Sequence, residues 1–433
     1  MQMDDMILVS IDDHSIEPGD MYKNHVPAKW ADQVPKIVRN AQGIDEWTFQ
    51  GESATTPFGM AATVGWPREE WGFNPGAFSE LRPGCFDVHE RVRDMNVNGV
   101  LASMCFPTMA GFNARTFTEA GDKELSLVML QAYNDWHIDE WCGAAPERFI
   151  PLALPPIWDP ALMAAEVARV AAMGCHAITF SENPAKLGFP SWHDPHWDPF
   201  FAACSDHGTV ICLHIGSSSD MVVTAMNAPV TVQMSLQPLN IVQCAADIIW
   251  SRVPTEFPDL RFALSEGGIG WVPYFLERCD FTYEHHRAWT GVDLGPRTPT
   301  QVFRDHVITC FIDDPSGLEL RNHIGVERIT WECDYPHSDS TWPNSPEVLA
   351  PSLAGLTRDE IDAITHANAM RLFSYDPFAY RPREQCTVGA LRAEAQGWDV
   401  EVRDLDRPWK PPERPITQDE KLAALGKLAR ATR

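Results

Sequence analysis

Short apolar runs rich in β-branched and aromatic residues alternate with helical periodicity along most of the chain. Eight runs stand out: MILVSIDDH (6–14), NGVLASMCFP (98–107), FIPLALPPI (149–157), HAITFSEN (176–183), VICLHIGS (210–217), LRFALSEGG (260–268), ITCFIDD (308–314) and RITWECDYPH (328–337). Helical patterns occupy 119–143, 159–173, 197–207, 238–253, 271–289 and 316–324 between them. The 159–173 stretch carries its own punctuation, with Asp159 and Pro160 opening it and Gly174 closing it. Strands alternating with helices form parallel βαβ units, and eight of them predict an α/β fold, a (β/α)8 TIM barrel. An open doubly wound sheet fits less well, because no glycine-rich phosphate loop follows the first run.

Two segments fall outside the repeat. Residues 15–96 separate the first two runs by far more than an ordinary loop. Their Trp-, Gly- and Pro-rich stretch GWPREEWGFNPGAF (65–78) reads as part of an insertion over the barrel mouth. The expected organisation is therefore a barrel over 1–377 with that insertion, and a charged, Pro-rich C-terminal extension over 378–433 containing PWKPPERP.

Composition narrows the function classes. The 34 Lys and Arg against 60 Asp and Glu leave a net charge of −26, which repels nucleic acid and anionic membrane. No apolar stretch approaches the ~20 residues of a membrane span. The N-terminus has acids where a signal peptide needs basic residues. Eleven scattered cysteines with no C-x-x-C pair read as reduced, buried thiols. Together these predict a cytoplasmic protein.

In a barrel, catalytic groups come from the C-terminal ends of strands. Here those ends carry Asp12, Asp13, His14 and then Glu17, followed by Glu182, His214, Glu266, Asp313, Asp314, Asp334 and His337. Asp12 and His14 are two apart and share a strand face, while Asp13 takes the other. A carboxylate and an imidazole buried together are costly unless paired, and a divalent metal pairs both. His214 and Asp334 stand in similar apolar settings, so Asp12, His14, His214 and Asp334 form a ligand set suited to Zn, Mn or Fe. Glu17, Glu266 and His337 add further candidates: seven ligands exceed one open tetrahedral zinc and suffice for two metals. The plain structural alternatives are that Glu17 caps a turn, that His337 only orients a ligand, and that an ion pair satisfies Glu332. Glu182, Asp313 and Asp314 read as loop caps.

SIDDHSIEP near the start, LHIG (213–216), SEGGIGWVPYFLER (265–278), WECDYPHSDSTWP (331–343) and HANAMRLF (366–373) resemble the amidohydrolase-related metal enzymes over residues 6–376. The resemblance is nearest to the branch around aminocarboxymuconate-semialdehyde decarboxylase and the γ-resorcylate-type decarboxylases. It implies a (β/α)8 barrel with a divalent metal held by Asp12, His14, His214 and Asp334. One departure stands out: where those decarboxylases supply a histidine from strand six, this chain has Glu266. That feature is similar to a subgroup of the fold with a dinuclear Fe or Fe/Mn centre and O2 chemistry, of which 2-aminoisobutyrate hydroxylase is an example.

The leading expectation is an O2-dependent hydroxylase of a small organic substrate. Glu17, Glu266 and His337 would complete a second metal site, and Glu266 and His337 would also act catalytically. The alternative is a mononuclear Zn or Mn decarboxylase or hydrolase with Glu266 as general acid or base. A third reading keeps the barrel as a non-catalytic assembly partner. His285 and His286 are candidate substrate contacts, or else a solvated helix end. Expected partners are further barrel subunits, identical or related, and, for oxygen chemistry, a separate electron-transfer protein.

Overall fold

The computed structural model describes residues 2–73, 76–218, 222–403, 405 and 412–430. The first half of PWKPPERP (408–411) lies outside the described residues. The described residues form ten strands: β1 Val9–Ser15, β2 Lys36–Arg39, β3 Asp45–Phe49, β4 Glu52–Thr55, β5 Ala102–Pro107, β6 Ala177–Ser181, β7 Val210–His214, β8 Phe262–Ser265, β9 Val307–Phe311 and β10 Ile329–Trp331. Seven of them make one parallel sheet in the order β5-β1-β10-β9-β8-β7-β6. The expected strand at 149–157 sits between the two edges. It reaches β5 through a parallel Ser103–Phe149 bridge and β6 through a parallel Ala153–Ile178 bridge, closing the ring into the (β/α)8 barrel. Pro151, Pro155 and Pro156 explain why this element is reduced to bridges: each removes an N–H that a full ladder needs.

Alternation along the strands sorts the core into two layers. Ile211, Leu213, Phe262, Leu264 and Phe311 pack in the large cluster that the surrounding helices share. Val210, Cys212, Ala263 and Cys310 instead join Val9, Ile11, Met104, Ile150 and Leu152 in a second cluster that fills the barrel interior. Ala369, Phe373 and Leu391 belong to the same cluster. All eleven cysteines are buried and unpaired. Among the described residues, no helix is long and apolar enough to cross a membrane.

Strand β1 departs from regular alternation. Its pairing with β5 shifts between Ser10, opposite Ser103, and Asp13, opposite Cys105, so three steps on β1 match two on β5. This bulge inserts one residue. Ile11 still faces the apolar interior, yet its neighbour Asp12 also turns inward, with His14 beyond it. Asp13 points away, to the Ser10 and Ser103 hydroxyls and the Tyr335 N–H.

The segment after β1 contains the antiparallel sheet β2-β3-β4 and meets the loop after β10, with Thr63 N donating to Pro336 O (2.8 Å) and Ser338 N to Met60 O (3.1 Å). Helix Val88–Asn98, capped by Asp87, then leads into β5. Its Arg91 is fully buried, donates to the Gly84 and His14 carbonyls, and lies 4.0 Å from the Tyr335 ring. The C-terminal residues run back along the molecule. Val388 N donates to Met6 O (2.8 Å) and Arg403 N to Gly65 O (2.7 Å). The last helix, Gln418–Arg430, follows.

His137, in the π-helical extension Trp136–Cys142, is fully buried, and its Nε2 has no hydrogen-bond partner among the described residues. Burial lowers its pKa from 6.5 to about 4. An imidazole depressed in the folded state stabilises the fold above its unfolded pKa, and that contribution is lost as pH falls toward the folded value. Unfolding free energy should therefore decline between pH 6.5 and 4, by ~3 kcal/mol for this group alone. Denaturant titrations at both ends of the window should show a smaller decline in His137→Gln. An undiminished decline in that variant would exclude His137 as its source.

Candidate metal centre

Four strand ends bring six ionisable side chains together. Asp12 and His14 come from β1, His214 from the end of β7, Glu266 from just past β8, and Asp334 and His337 from the loop after β10. His14 Nε2 lies 3.4 Å from Asp12 Oδ1 and 3.3 Å from Asp334 Oδ1. His214 Nε2 lies 3.5 Å from Asp12 Oδ2 and 3.4 Å from Glu266 Oε2. His337 Nδ1 lies 3.0 Å from Asp334 Oδ1 and 3.7 Å from Glu266 Oε1. Ligand atoms of Asp12, His14 and His214 form one compact group, and those of His14, Glu266, Asp334 and His337 a second, with His14 in both. Glu266 and Asp334 hold left-handed backbone angles, φ 54° and 58°, a strained conformation for non-glycine residues that persists where the surroundings enforce it.

The rings are locked from outside. His214 Nδ1 donates to the Ile215 carbonyl at 2.7 Å; a carbonyl only accepts, so the proton is on Nδ1 and the Nε2 lone pair faces the carboxylates. Phe112 stacks on His214 at 4.0 Å between ring centroids, and His337 stacks on His14 at 3.6 Å.

The donor set fits a divalent cation. Among the described residues, Asp12 Oδ1 and Oδ2, His14 Nδ1 and Nε2, His214 Nε2, and both Asp334 oxygens are buried without a hydrogen-bond partner. Such groups are individually expensive, and here Asp12, His14 Nε2, His214 Nε2 and Asp334 each lie within 3.5 Å of another of the set. Metal–ligand bonds of about 2.0–2.2 Å place neighbouring donors roughly 3.0–3.5 Å apart, which is the spacing seen. Without a cation the charges conflict. Burial pushes the Asp12 carboxyl well up, with Glu332, Glu266 and Asp334 adding to it. Burial and then Glu266 do the same to Asp334. Burial also lowers the His14 and His214 imidazoles. Glu266 alone goes the other way: burial raises it, but His214 and His337 outweigh that and hold it at about 2. A bound divalent ion would relieve the repulsion among the carboxylates.

Other expected residues lie elsewhere. Glu17 is buried but does not join the six. Its carboxylate accepts the Met109 and Ala110 N–H groups at 2.9–3.1 Å, which ties the loop after β5. His285 and His286 sit on the exposed part of helix Val272–Thr290; His285 bonds Phe281 O and His286 receives the Trp289 indole N–H. Glu182 is buried under the Ser217 and Ser218 hydroxyls, and Asp314 accepts N–H groups from Ile269, Gly270 and Gly317. Asp313 takes a hydroxyl from Ser352. Glu332 is met by the Cys310 thiol and the Glu266 N–H rather than by a cation, and burial raises it to about 8.

A cavity of about 550 Å³ opens onto the cluster, lined at its base by His214, Glu266, Asp334 and His337. Trp71, Phe73, Phe112, Met234 and Ile312 give it apolar walls. It shares Pro57, Ala61, Phe112 and His337 with a second cavity of about 310 Å³ that reaches Trp47. Phe112 sits in an unremarkable loop and Lys421 in the polar tail, and both line the larger cavity; no spacing in the sequence marks either as part of a site.

A family model described as amidohydrolase matches residues 25–374. The chain belongs to the amidohydrolase family. Among curated relatives, the amidohydrolase-family chain is 25% identical to γ-resorcylate decarboxylase of Rhizobium sp. (strain MTP-10005) over 326 residues, covering 70% of this chain and 93% of that one. It is 24% identical to the enzyme of the same name from Rhodococcus jostii (strain RHA1), over 61% of this chain and 82% of that one. An amidohydrolase from Mycobacterium avium subsp. paratuberculosis K-10 superposes with TM-score 0.65 at 19% identity, covering 85% and 99% of the two chains. A manganese-bound 5-carboxyvanillate decarboxylase from Novosphingobium aromaticivorans superposes with TM-score 0.58 at 14% identity, covering 86% and 99%. These structures share the fold.

Elemental analysis of protein from metal-replete cells should find at least one transition metal per chain. Asp334→Ala should lose about nine-tenths of it or more, because an unpaired buried set remains. Glu17→Gln should keep the metal, since its partners are backbone N–H groups; metal loss in that variant would place Glu17 among the ligands after all.

Proposed function

We propose that this amidohydrolase-family enzyme is a metal-dependent, non-oxidative carboxy-lyase acting on a small carboxylic acid. The observation that carries the reading is the set of buried donor atoms on Asp12, His14, His214 and Asp334 without a hydrogen-bond partner among the described residues, with His214 and Asp334 on the lining of an apolar-walled cavity of about 550 Å³, in a chain aligned over 93% of a γ-resorcylate decarboxylase. Asp12, His14, His214 and Asp334 would hold the metal. When bound, the metal would polarise a substrate oxygen and stabilise negative charge developing on it.

The chain's own residues supply the rest. The apolar walls seat the body of the acid and displace water from the base of the cavity, which strengthens each electrostatic interaction there. Heterolysis of the bond to the carboxylate releases CO2 and leaves an electron pair on carbon that needs a proton. His337 and Glu266, 3.7 Å apart on the cavity lining, are placed to deliver it. Glu266, ionised and fixed by its backbone, orients the imidazole, and His337 carries the proton to the substrate.

O2-dependent hydroxylation is the second reading. One observation favours it: three carboxylates and three imidazoles within one cluster are more than a single open site takes, which leaves room for two redox metals. The curated relatives named above are decarboxylases and support the non-oxidative reading instead.

Incubation with 2,6-dihydroxybenzoate and 5-carboxyvanillate under strict anaerobiosis, with Mn or Zn supplied, should release one CO2 per acid consumed. His337→Asn should lower kcat by about a hundredfold with little change in KM. Turnover that stops without O2, with two iron or manganese ions per chain, would replace this reading by the hydroxylase.

A further inference from the structure

Two cavities meet at Phe112 and His337, and the apolar body of one acid accounts for only the larger. The larger is bounded in part by the C-terminal segment, which pairs its backbone with residues 226–230. Val230 N donates to Ile416 O (2.8 Å), Gln418 N to Ala228 O (3.0 Å) and Asp419 N to Met226 O (2.9 Å), and Val230 and Ile416 are on its lining. The smaller cavity, of about 310 Å³, lies instead between the insertion and the loop after β5. Trp47, from the central strand of the sheet β2-β3-β4, and Thr56 line it from the insertion; Pro107, Thr108 and Met109 line it from the end of β5. His14 and His337 are on its lining as well, so a group seated there stands beside the ligand cluster.

Both sides of this cavity are fixed by contacts of their own. Trp47 is buried, and the Tyr22 ring meets it edge-on at 6.0 Å between centroids. Across from it, Met109 is held at both ends: its N–H donates to the Glu17 carboxylate at 2.9 Å, and its carbonyl accepts the Thr116 hydroxyl at 2.8 Å. Phe112 is stacked on His214. Preformed walls spare a ligand the cost of ordering them. Among the described residues that line the cavity there is no Asp, Glu, Lys or Arg. Of its two hydroxyls, that of Thr108 donates to the Ser15 carbonyl at 2.8 Å. An ionic group would lose its hydration there and gain no counter-charge from these walls. Apolar space of about 150 Å³ already holds benzene, so this volume admits a branch of several carbons. We propose that the smaller cavity is a specificity subsite for a compact hydrocarbon branch, so that preferred acids carry such a branch beside the carbon that loses its carboxylate, with the remainder of the molecule in the larger cavity. The substrate class rests on the carboxylic-acid reading above; the apolar subsite stands without it.

The test is ligand-observed NMR titration of the full-length, metal-loaded protein with two series: benzoate and its 2-methyl, 2-ethyl and 2-isopropyl derivatives, and toluene, ethylbenzene and cumene. In the wild type each added carbon should tighten binding of the acids about threefold. Thr56→Phe and Met109→Trp fill the cavity from its two sides, so that one remains if the other fails to fold; each should flatten the series at wild-type metal content. Met109→Ala should move the optimum to a longer branch. An acid series that is flat in the wild type, or that keeps its slope in a folded filled variant, would overturn the assignment, as would binding of neither series. Acids that do not bind, beside hydrocarbons whose affinity rises with size and flattens in the filled variants, would reject the carboxylic-acid reading and keep the apolar subsite.

Discussion

Three carboxylates and three imidazoles share one buried volume, and most of the upper barrel is arranged around that electrostatic conflict. Asp12, Glu266 and Asp334 cannot all ionise side by side without a counter-charge. The protein does not avoid the conflict by dispersing them. It locks His214 through the Ile215 carbonyl, holds His14 and His337 in a stack, and keeps Glu266 and Asp334 in left-handed backbone conformations. Strain and unpaired donors of this kind persist when a cation repays them. Supporting residues act one step out: Arg91 fixes the His14 carbonyl from beneath, and Asp13 ties β1 to β5 and to the loop after β10.

Much of the barrel was legible in the chain because period-two apolar runs and helical stretches are local signals. Each of the eight expected runs occupies a place in the ring, although prolines thin the one at 149–157 to two bridges. The pairing of Asp12 with His14 on one face followed from parity. What parity could not reveal is the β1 bulge, since an extra residue is visible only against the neighbouring strand. Without it, Asp12 and His14 would point to the helices and Asp13 to the interior.

Glu17, His285 and His286 show where residue type alone misleads. Glu17 stands one short loop from His14, yet two backbone N–H groups after β5 claim its carboxylate. His285 and His286 lie on a helix whose outer part is solvated. Conversely, Phe112 and Lys421 reach the cavity by tertiary placement, from a loop and from a tail that charge and proline content mark only as polar. The decarboxylase relatives and the carboxylate-rich ligand set pull the chemistry in different directions.

The backbone pairing of residues 416–419 with 226–230 has a consequence for how the molecule is made. During synthesis, every candidate ligand has left the ribosome once residue 337 emerges, while the wall that includes Lys421 needs more than eighty further residues. Domains fold progressively from the N-terminal side as they appear. A nascent chain would thus acquire its cation-binding floor before its pocket is enclosed, leaving a period in which metal can enter through an open face that the finished protein covers.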